Sequence, residues 1–379
     1  GSSSLSGSMG EGLSRLVCAT PAHQAGTMGE EAKKPKPAAG AVKAAVKALA
    51  NTGVLEPEAA SDAMREIMAG EATQAQMGAF LALLSLDRCG PEIIHALADV
   101  MRSSAVPVEI PRDRGPIVDI VGTGGDGQDT FNISTAAGLV AAAAGARVVK
   151  HGNRAASSKS GAADILEAMG ARLDHPPGQV QQVLDAGGFA FLFARSYHPA
   201  MRPVGPVRLE LGIKTVFNIL GPLTNPARPD GMVCGVFSPT LGRMFAEVFK
   251  MLGMTRALVV HGCEVLDELS IEGPSKVWEL CEGGEIKEYE VRPADFGVDA
   301  APLAQVAGGT PQENVAELRE LLAGRGRKAV RDMILMNAGA ALYVAGRAAD
   351  FKQGVELARA ALSDGRGSRT CEAYVKATQ

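Results

Sequence analysis

Between residues 41 and 104 the apolar positions recur every three to four residues, the period of a helix with one buried face. Val42, Ala45, Val46 and Leu49 line one face of a helix over Ala41 to Ala50. Pro57 opens a second helix, with Met64, Ile67 and Met68 inward and Gly70 stopping it. Thr73 caps a third that runs to Arg88, and Pro91 starts a fourth carrying Ile94, Leu97 and Met101. From Ile117 the pattern changes to short β-rich runs separated by helical ones. Strands are predicted at Ile117–Val121, Arg147–Lys150, Phe189–Phe193, Val233–Phe237 and Ala257–Val260. Ser275–Leu280 and Ile286–Val291 form a hairpin around Gly283-Gly284, and helices close the chain. The expected fold is α/β: a small N-terminal helical domain at 39–106, then a larger doubly wound, mostly parallel sheet domain flanked by helices at 107–379.

Composition narrows this picture without changing it. Hydrophobic residues make up 46% of the 379 but aromatics only 4%, so the core is aliphatic. A net charge of −4 gives no general attraction to nucleic acid. Six scattered cysteines lack metal-ligand spacing and read as reduced thiols of a cytoplasmic protein. No apolar run reaches transmembrane length. Residues 1–8 read as a tag remnant, and 9–38, rich in Ala, Gly, Lys and Pro without periodicity, as a disordered extension.

The chemistry concentrates after the first predicted strand. Gly122, Gly124, Gly125 and Gly127 fall within six positions, and a small-residue helix starts near Ser134. Strand, glycine loop and helix start together make an anion grip, because glycines let the backbone approach and free N–H groups point at the ligand. Thr123, Thr130, Asn132, Ser134 and Thr135 add short polar groups. Asp126 and Asp129 would repel a bare phosphate, but suit a ligand that also carries hydroxyls or a metal, such as a sugar phosphate. No lysine closes the loop as a P-loop requires, and no acid stands about twenty residues on as a dinucleotide loop requires. One strand later, Lys150-His151-Gly152-Asn153-Arg154, then Ser157 and Ser158, form a basic, hydroxyl-rich loop. In a parallel sheet it lies at the carboxyl edge beside the first loop, completing a polyanion pocket.

In these blocks the chain resembles the anthranilate phosphoribosyltransferases of tryptophan biosynthesis, from about Ala39 to about Gly365. The resemblance also rests on Phe193-Ala194 with His198-Pro199-Ala200-Met201, on Arg208 through Leu220-Gly221-Pro222-Leu223-Thr224-Asn225-Pro226, and on His261-Gly262 with Asp267-Glu268. It implies transfer of phosphoribose from phosphoribosyl pyrophosphate (PRPP) to the amine of anthranilate, with Mg²⁺ and no covalent intermediate. It implies that Gly122, Gly125, Asp126, Thr130, Asn132, Ile133, Ser134, Thr135, Lys150, His151, Gly152, Asn153, Arg154, Ser157 and Ser158 bind PRPP. Gly122, Asn153 and Arg208 would touch anthranilate, and Ser134, Asp267 and Glu268 would bind the metal. Adjacent carboxylates are hard oxygen ligands suited to Mg²⁺, although an Asp-Glu pair by itself reads as two solvated surface acids. Arg208 by itself reads equally as a surface arginine pairing with Glu210. His151 and His198 are read as binding or loop-shaping groups, since the amine needs no strong base. The resemblance further implies that part of 198–220 joins the helical domain and that two copies pair through that domain.

Four positions depart from the family pattern. Ala162 stands where serine is common, Arg195 where proline is usual, Lys214 for arginine, and Val265 for a glycine just before Leu266-Asp267-Glu268. Val265 must avoid a positive φ or tolerate strain. Two other readings remain. A pyrimidine nucleoside phosphorylase would carry lysine, histidine and serine ahead of the glycines, where this chain has Ile120, Val121 and Gly122. A nucleic-acid-binding relative would lose the paired acids and gain a basic face.

Overall fold

The computed structural model describes residues 39–155 and 158–379. The expectations for 1–38 and for Ser157 lie outside the described residues. Four helices come first: α1 (Ala41–Thr52), α2 (Pro57–Met68), α3 (Gln74–Leu83) and α4 (Pro91–Ser104). The third ends earlier than its sequence pattern suggests, and Leu86–Arg88 forms a separate 3₁₀ turn. Thr73 caps α3 reciprocally with Gln76.

The sheet domain runs β1 (Ile117–Gly122), α5 (Ile133–Ala143), β2 (Arg147–Gly152), α6 (Ala162–Ala168), α7 (Val180–Gly187), β3 (Phe189–Phe193), α8 (Ala194–Tyr197) and α9 (Val204–Leu211). It continues through β4 (Gly231–Gly235), α10 (Gly242–Met251), β5 (Arg256–Gly262), β6 (Ser275–Leu280) and β7 (Ile286–Val291). Helices α11 (Pro311–Leu322), α12 (Lys328–Val344), α13 (Phe351–Ser363) and α14 (Arg366–Ala377) close the chain. The strand order is β3-β2-β1-β4-β5-β6-β7, with β1 to β5 parallel and β6 and β7 antiparallel. Because the chain winds outward from β1 in both directions, the topological switch lies between β1 and β4, where such sheets bind ligands.

Side-chain alternation divides the interior into two cores. On β4, Val233 joins the core under α5 and α12, while Met232 and Cys234 face the other way. On β5, Leu258 and Val260 take the first face, Ala257 and Val259 the second. The second core is shared with the N-terminal helices through Leu49, Met64, Phe80 and Leu97, and with Val204, Val207, Val216 and Phe217 of the 204–223 segment.

Strand β4 begins and ends two residues earlier than the apolar run Val233–Phe237 suggests. The reason is at Gly235, where an added Cβ would lie 1.6 Å from the Asp267 carbonyl oxygen. The last position of the strand is fixed by what crosses over it, not by hydrophobicity.

Candidate active site

Gly122 and Gly235 are paired neighbours at the carboxyl ends of β1 and β4. A Cβ on Gly122 would sit 2.2 Å from Asp267 Oδ2. Two bare backbones at the switch point therefore make room for Asp267, delivered by the loop after β5. Gly124 N–H donates to Asp267 Oδ2 at 2.6 Å, and the Asp267 N–H donates to Asp126 Oδ2 at 3.4 Å. Gly124, Gly125 and Gly127 all have left-handed φ, which lets the loop turn this tightly.

Helix α5 contributes its first turn. The Ser134 N–H donates to Glu268 Oε1 at 3.1 Å, so a carboxylate faces a helix N-terminus. Ile133 and Thr135 are buried, and Thr130 bridges to Ala307, which anchors the loop's far end. The Asn132 side chain donates to the Ser160 carbonyl at 2.9 Å and accepts from Asn314 at 2.9 Å. In this structure it ties the first loop to the second.

The paired acids are electrostatically costly. Burial, then Asp126 and Glu268, raise the Asp267 carboxyl well above its ordinary value. Burial raises Glu268 to about 7, despite opposition from Lys150 and Ser134. All the donors here are hard oxygens, and the unbalanced negative charge fits a divalent cation. Among the described residues no three histidine, cysteine or acid side chains converge into a complete metal cage. Such a site suits Mg²⁺, which takes one or two carboxylates and fills the rest with water and phosphate oxygens.

Lys150 is buried rather than displayed on the loop surface. Its ammonium donates to the Ile120 carbonyl and is attracted by Asp119, Glu268 and Asp267. Beneath it Asp119 is fully buried, raised to about 6 by burial. Asn225 Nδ2 donates to Asp119 Oδ2 at 2.9 Å and to the Val149 carbonyl at 2.8 Å, stitching β1 to β2. The sequence assigned no role to Asp119 or Asn225; an acid inside the apolar run Ile117–Val121 was the available signal.

The second loop divides. His151 Nδ1 lies 3.2 Å from the Gly221 carbonyl, and its ring meets His198 edge-on at 5.0 Å. Burial lowers His151 to about 3 and His198 to about 4, so both are neutral and weakly basic at pH 7. Gly152 fits against Phe191. Asn153 Oδ1 accepts from the Arg154 N–H at 2.8 Å, and Ser158 is exposed. Arg154, expected at the anion, is here committed to α6: it pairs with Glu167 and, at 3.2 Å, with Asp164. Two nearby acids on one helix outcompete solvent for a fork-shaped cation.

Arg208 sits near the end of α9, half-buried, with its guanidinium 5.7 Å from the Phe217 ring centre. Burial lowers its pKa. The alternative pairing with Glu210 does not occur, and Arg208 has no ion pair among the described residues. Lys214 reaches the glycine loop, donating to the Gly125 carbonyl at 2.9 Å and lying 4.1 Å from the Phe237 ring centre.

Val265 does adopt a left-handed conformation, with φ +62°. Gly262 and Leu266 exchange backbone hydrogen bonds of 2.9 and 3.2 Å around a three-residue loop, whose last position normally takes glycine. That turn directs the chain into Asp267 and Glu268. Val265→Gly should raise stability by about 0.5–1 kcal/mol, the relieved strain less the entropy of a freer unfolded chain. A higher urea midpoint at unchanged m would show it; an unchanged midpoint would mean that the turn is unstrained.

Residues 114–368 match the glycosyl transferase family α/β domain, and residues 43–105 its helical bundle domain. The anthranilate phosphoribosyltransferase of Thermus thermophilus is 48% identical over 322 residues, covering 85% of this chain and 95% of that one. That of Deinococcus radiodurans is 46% identical over 326 residues, covering 86% and 96%. The crystal structure of the Thermus thermophilus enzyme superposes with a TM-score of 0.82 at 47% identity, over 89% of this chain and 99% of that one. The Saccharomyces cerevisiae enzyme in complex with PRPP and Mg gives 0.82 at 28% identity, over 90% and 98%. A chain so matched over both domains, with its paired acids held at the switch point of the sheet, belongs to the anthranilate phosphoribosyltransferase family.

Proposed function

We propose that the carboxyl edge between β1, β2 and β5 is where this enzyme joins PRPP to anthranilate. The reaction breaks the C1′–O bond to pyrophosphate, forms a bond from the anthranilate nitrogen to C1′, and loses one amine proton. As C1′–O breaks, positive charge grows on the ribose and negative charge on the diphosphate. Mg²⁺ supplies charge neutralisation of the leaving diphosphate. Ser134, Asp267 and Glu268 would hold it, and the glycine-loop N–H groups not already bonded, as Gly124 is to Asp267, would face the phosphates. The observation that carries this reading is the enclosure of Asp267 between Gly122 and Gly235 beside two further carboxylates.

Arg208 fits the anthranilate carboxylate, for which a planar fork is the matching donor. Gly122 and Asn153 flank the same edge. His151 and His198, lowered to about 3 and about 4, shape the pocket instead of taking a proton. Lys150 lies behind the acids, where it offsets their charge. Residues 39–106 with part of 198–220 form the helical domain in this reading, and 107–379 the catalytic domain. Two copies would meet through the helical domain, which light scattering would test. Cys234, Cys263, Cys281 and Cys371 are free thiols, which agrees with a reducing, cytoplasmic setting. No described helix is long and apolar enough to cross a membrane.

Mixing the protein with PRPP, Mg²⁺ and anthranilate should extinguish anthranilate fluorescence, and a chelator should stop the loss. Persistent fluorescence with Mg²⁺ present would defeat the assignment. The pH dependence should follow Glu268. Its pKa of about 7 means that protons compete with the metal below that value. The Mg²⁺ concentration for half-maximal rate should therefore climb as pH falls from 8 to 6. Lys150→Met removes the cation that lowers Glu268, so the climb should begin at higher pH and PRPP binding should weaken. An unshifted profile would remove Lys150 from the acids' electrostatics.

A further inference from the structure

On the opposite edge of the sheet a cavity of about 260 Å³ opens between α4, the turn before β4 and the end of α10. Its lining includes His95, Asp99, Arg102, Arg228, Asp230 and Gly253. Asp230 directly precedes β4, so a strand's length of about 15 Å separates this cavity from Gly235 and the paired acids.

Arg102 is only 8% exposed, yet its buried Nε has no hydrogen-bond partner. Neither Arg102 nor Arg228 forms an ion pair among the described residues. Burial, then repulsion from Arg228, lowers Arg102 to about 10. Arg228 itself has φ +49°, an uncommon conformation outside glycine, asparagine and aspartate. Two guanidiniums thus converge on one cavity, one of them buried with an unused donor. A buried charged donor without a partner is expensive unless something binds it.

The lining acids do not supply that partner. Asp230 is occupied by Arg112 Nε at 2.7 Å and by the Ile117 N–H at 2.8 Å. Asp99 is exposed on the surface of α4 and attracts Arg102 only weakly, ranking below both opposing effects.

We propose that this cavity is a second anion site, built for phosphate or a phosphomonoester. The two guanidiniums match phosphate oxygens, His95 adds a ring nitrogen, and Asp99 at the rim accepts from a protonated or hydroxyl oxygen. The volume accommodates one phosphate with several waters of about 30 Å³ each. Bound there, the anion ties the last turns of α4 to the amino edge of the sheet, far from the metal acids.

Titration calorimetry with inorganic phosphate at constant ionic strength tests this. The unaltered protein should bind phosphate at two sites, one at the glycine loop and one here. Arg102→Gln should weaken one site about tenfold, the loss of a charge-assisted hydrogen bond, and leave the other unchanged. Because Arg102 is buried and its replacement could unsettle α4, Arg228→Gly is the deciding variant. It keeps the left-handed turn and removes only the guanidinium. Loss of the second site in Arg228→Gly, with turnover in phosphate-free buffer intact, supports the proposal. A single phosphate site in the unaltered protein, or two undiminished sites in Arg228→Gly, overturns it.

Discussion

The double variant Asp267→Asn, Glu268→Gln should lose on the order of 10³-fold in turnover at low Mg²⁺, yet melt at a higher temperature above pH 7. The first half follows from the donor set. Amide oxygens are weaker ligands than carboxylates, and the developing charge on the leaving diphosphate then lacks its neutralising ion. The second half follows from the cost of holding these acids close together. Glu268 is raised from 4.5 to about 7 in the fold, and Asp267 is raised too, by burial first and then by Asp126 and Glu268. Between the unfolded and folded values the native state binds more protons than the unfolded one. Stability contributed by such a group is present at low pH and is lost as pH rises through the folded value. At pH 8 without metal, the ionised pair therefore works against the fold. Neutral isosteres remove that penalty, for a gain on the order of 1 kcal/mol. The amide oxygen introduced by Asp267→Asn can still accept the Gly124 N–H, so the turn stays in place. Kinetics against Mg²⁺ and melting at pH 5.5 and 8 check both halves. Near-normal turnover would remove the acids from the metal site, and an equal melting shift at both pH values would mean that charge is not the cause.

Arg208→Ala should raise the anthranilate requirement steeply, by on the order of 2–5 kcal/mol if the carboxylate pair is desolvated. Anthranilate carries one carboxylate beside its amine, and aiming the amine at C1′ requires that carboxylate to be held at a fixed angle. A guanidinium half-buried over Phe217, with no acid already paired to it among the described residues, is prepared to do so. Arg208→Lys should rescue only part of the loss, because an ammonium lacks the fork. The PRPP requirement should barely change, since the glycine loop and the paired acids lie on other elements. Varying each substrate in turn decides the matter. An equal loss for both substrates would make Arg208 a support of the fold, and no loss would return it to the surface.

The order of strands and helices was legible because each periodicity is local. Alternation of 3.6-residue and β-rich runs is a property of neighbouring residues, and β1, β3, β6 and β7 fall within a residue of where that pattern places them. The glycine loop was legible for the same reason. Left-handed turns demand glycine at particular positions, and Gly124, Gly125 and Gly127 occupy them. The strain at Val265 could be posed as an alternative from sequence but decided only by the turn between Gly262 and Leu266.

What the tertiary structure decided are the pairings between residues far apart in the chain. Gly122 and Gly235 are glycine because Asp267 crosses both, and no local pattern reports contacts between residues so far apart in the chain. Lys150 looks like a loop cation in the sequence, but parallel pairing of β1 with β2 buries it against the Ile120 carbonyl. Arg154 looks like a phosphate ligand, but α6 brings Asp164 and Glu167 to it. Arg102 looks like an ordinary basic residue in the last turn of α4, where a cation is expected. Only the approach of the turn before β4 makes it a buried donor facing Arg228. The residue types and their local order thus determined which chemistry was available, whereas burial and partner choice, which set the charge state of each group, arose from distant strands brought together.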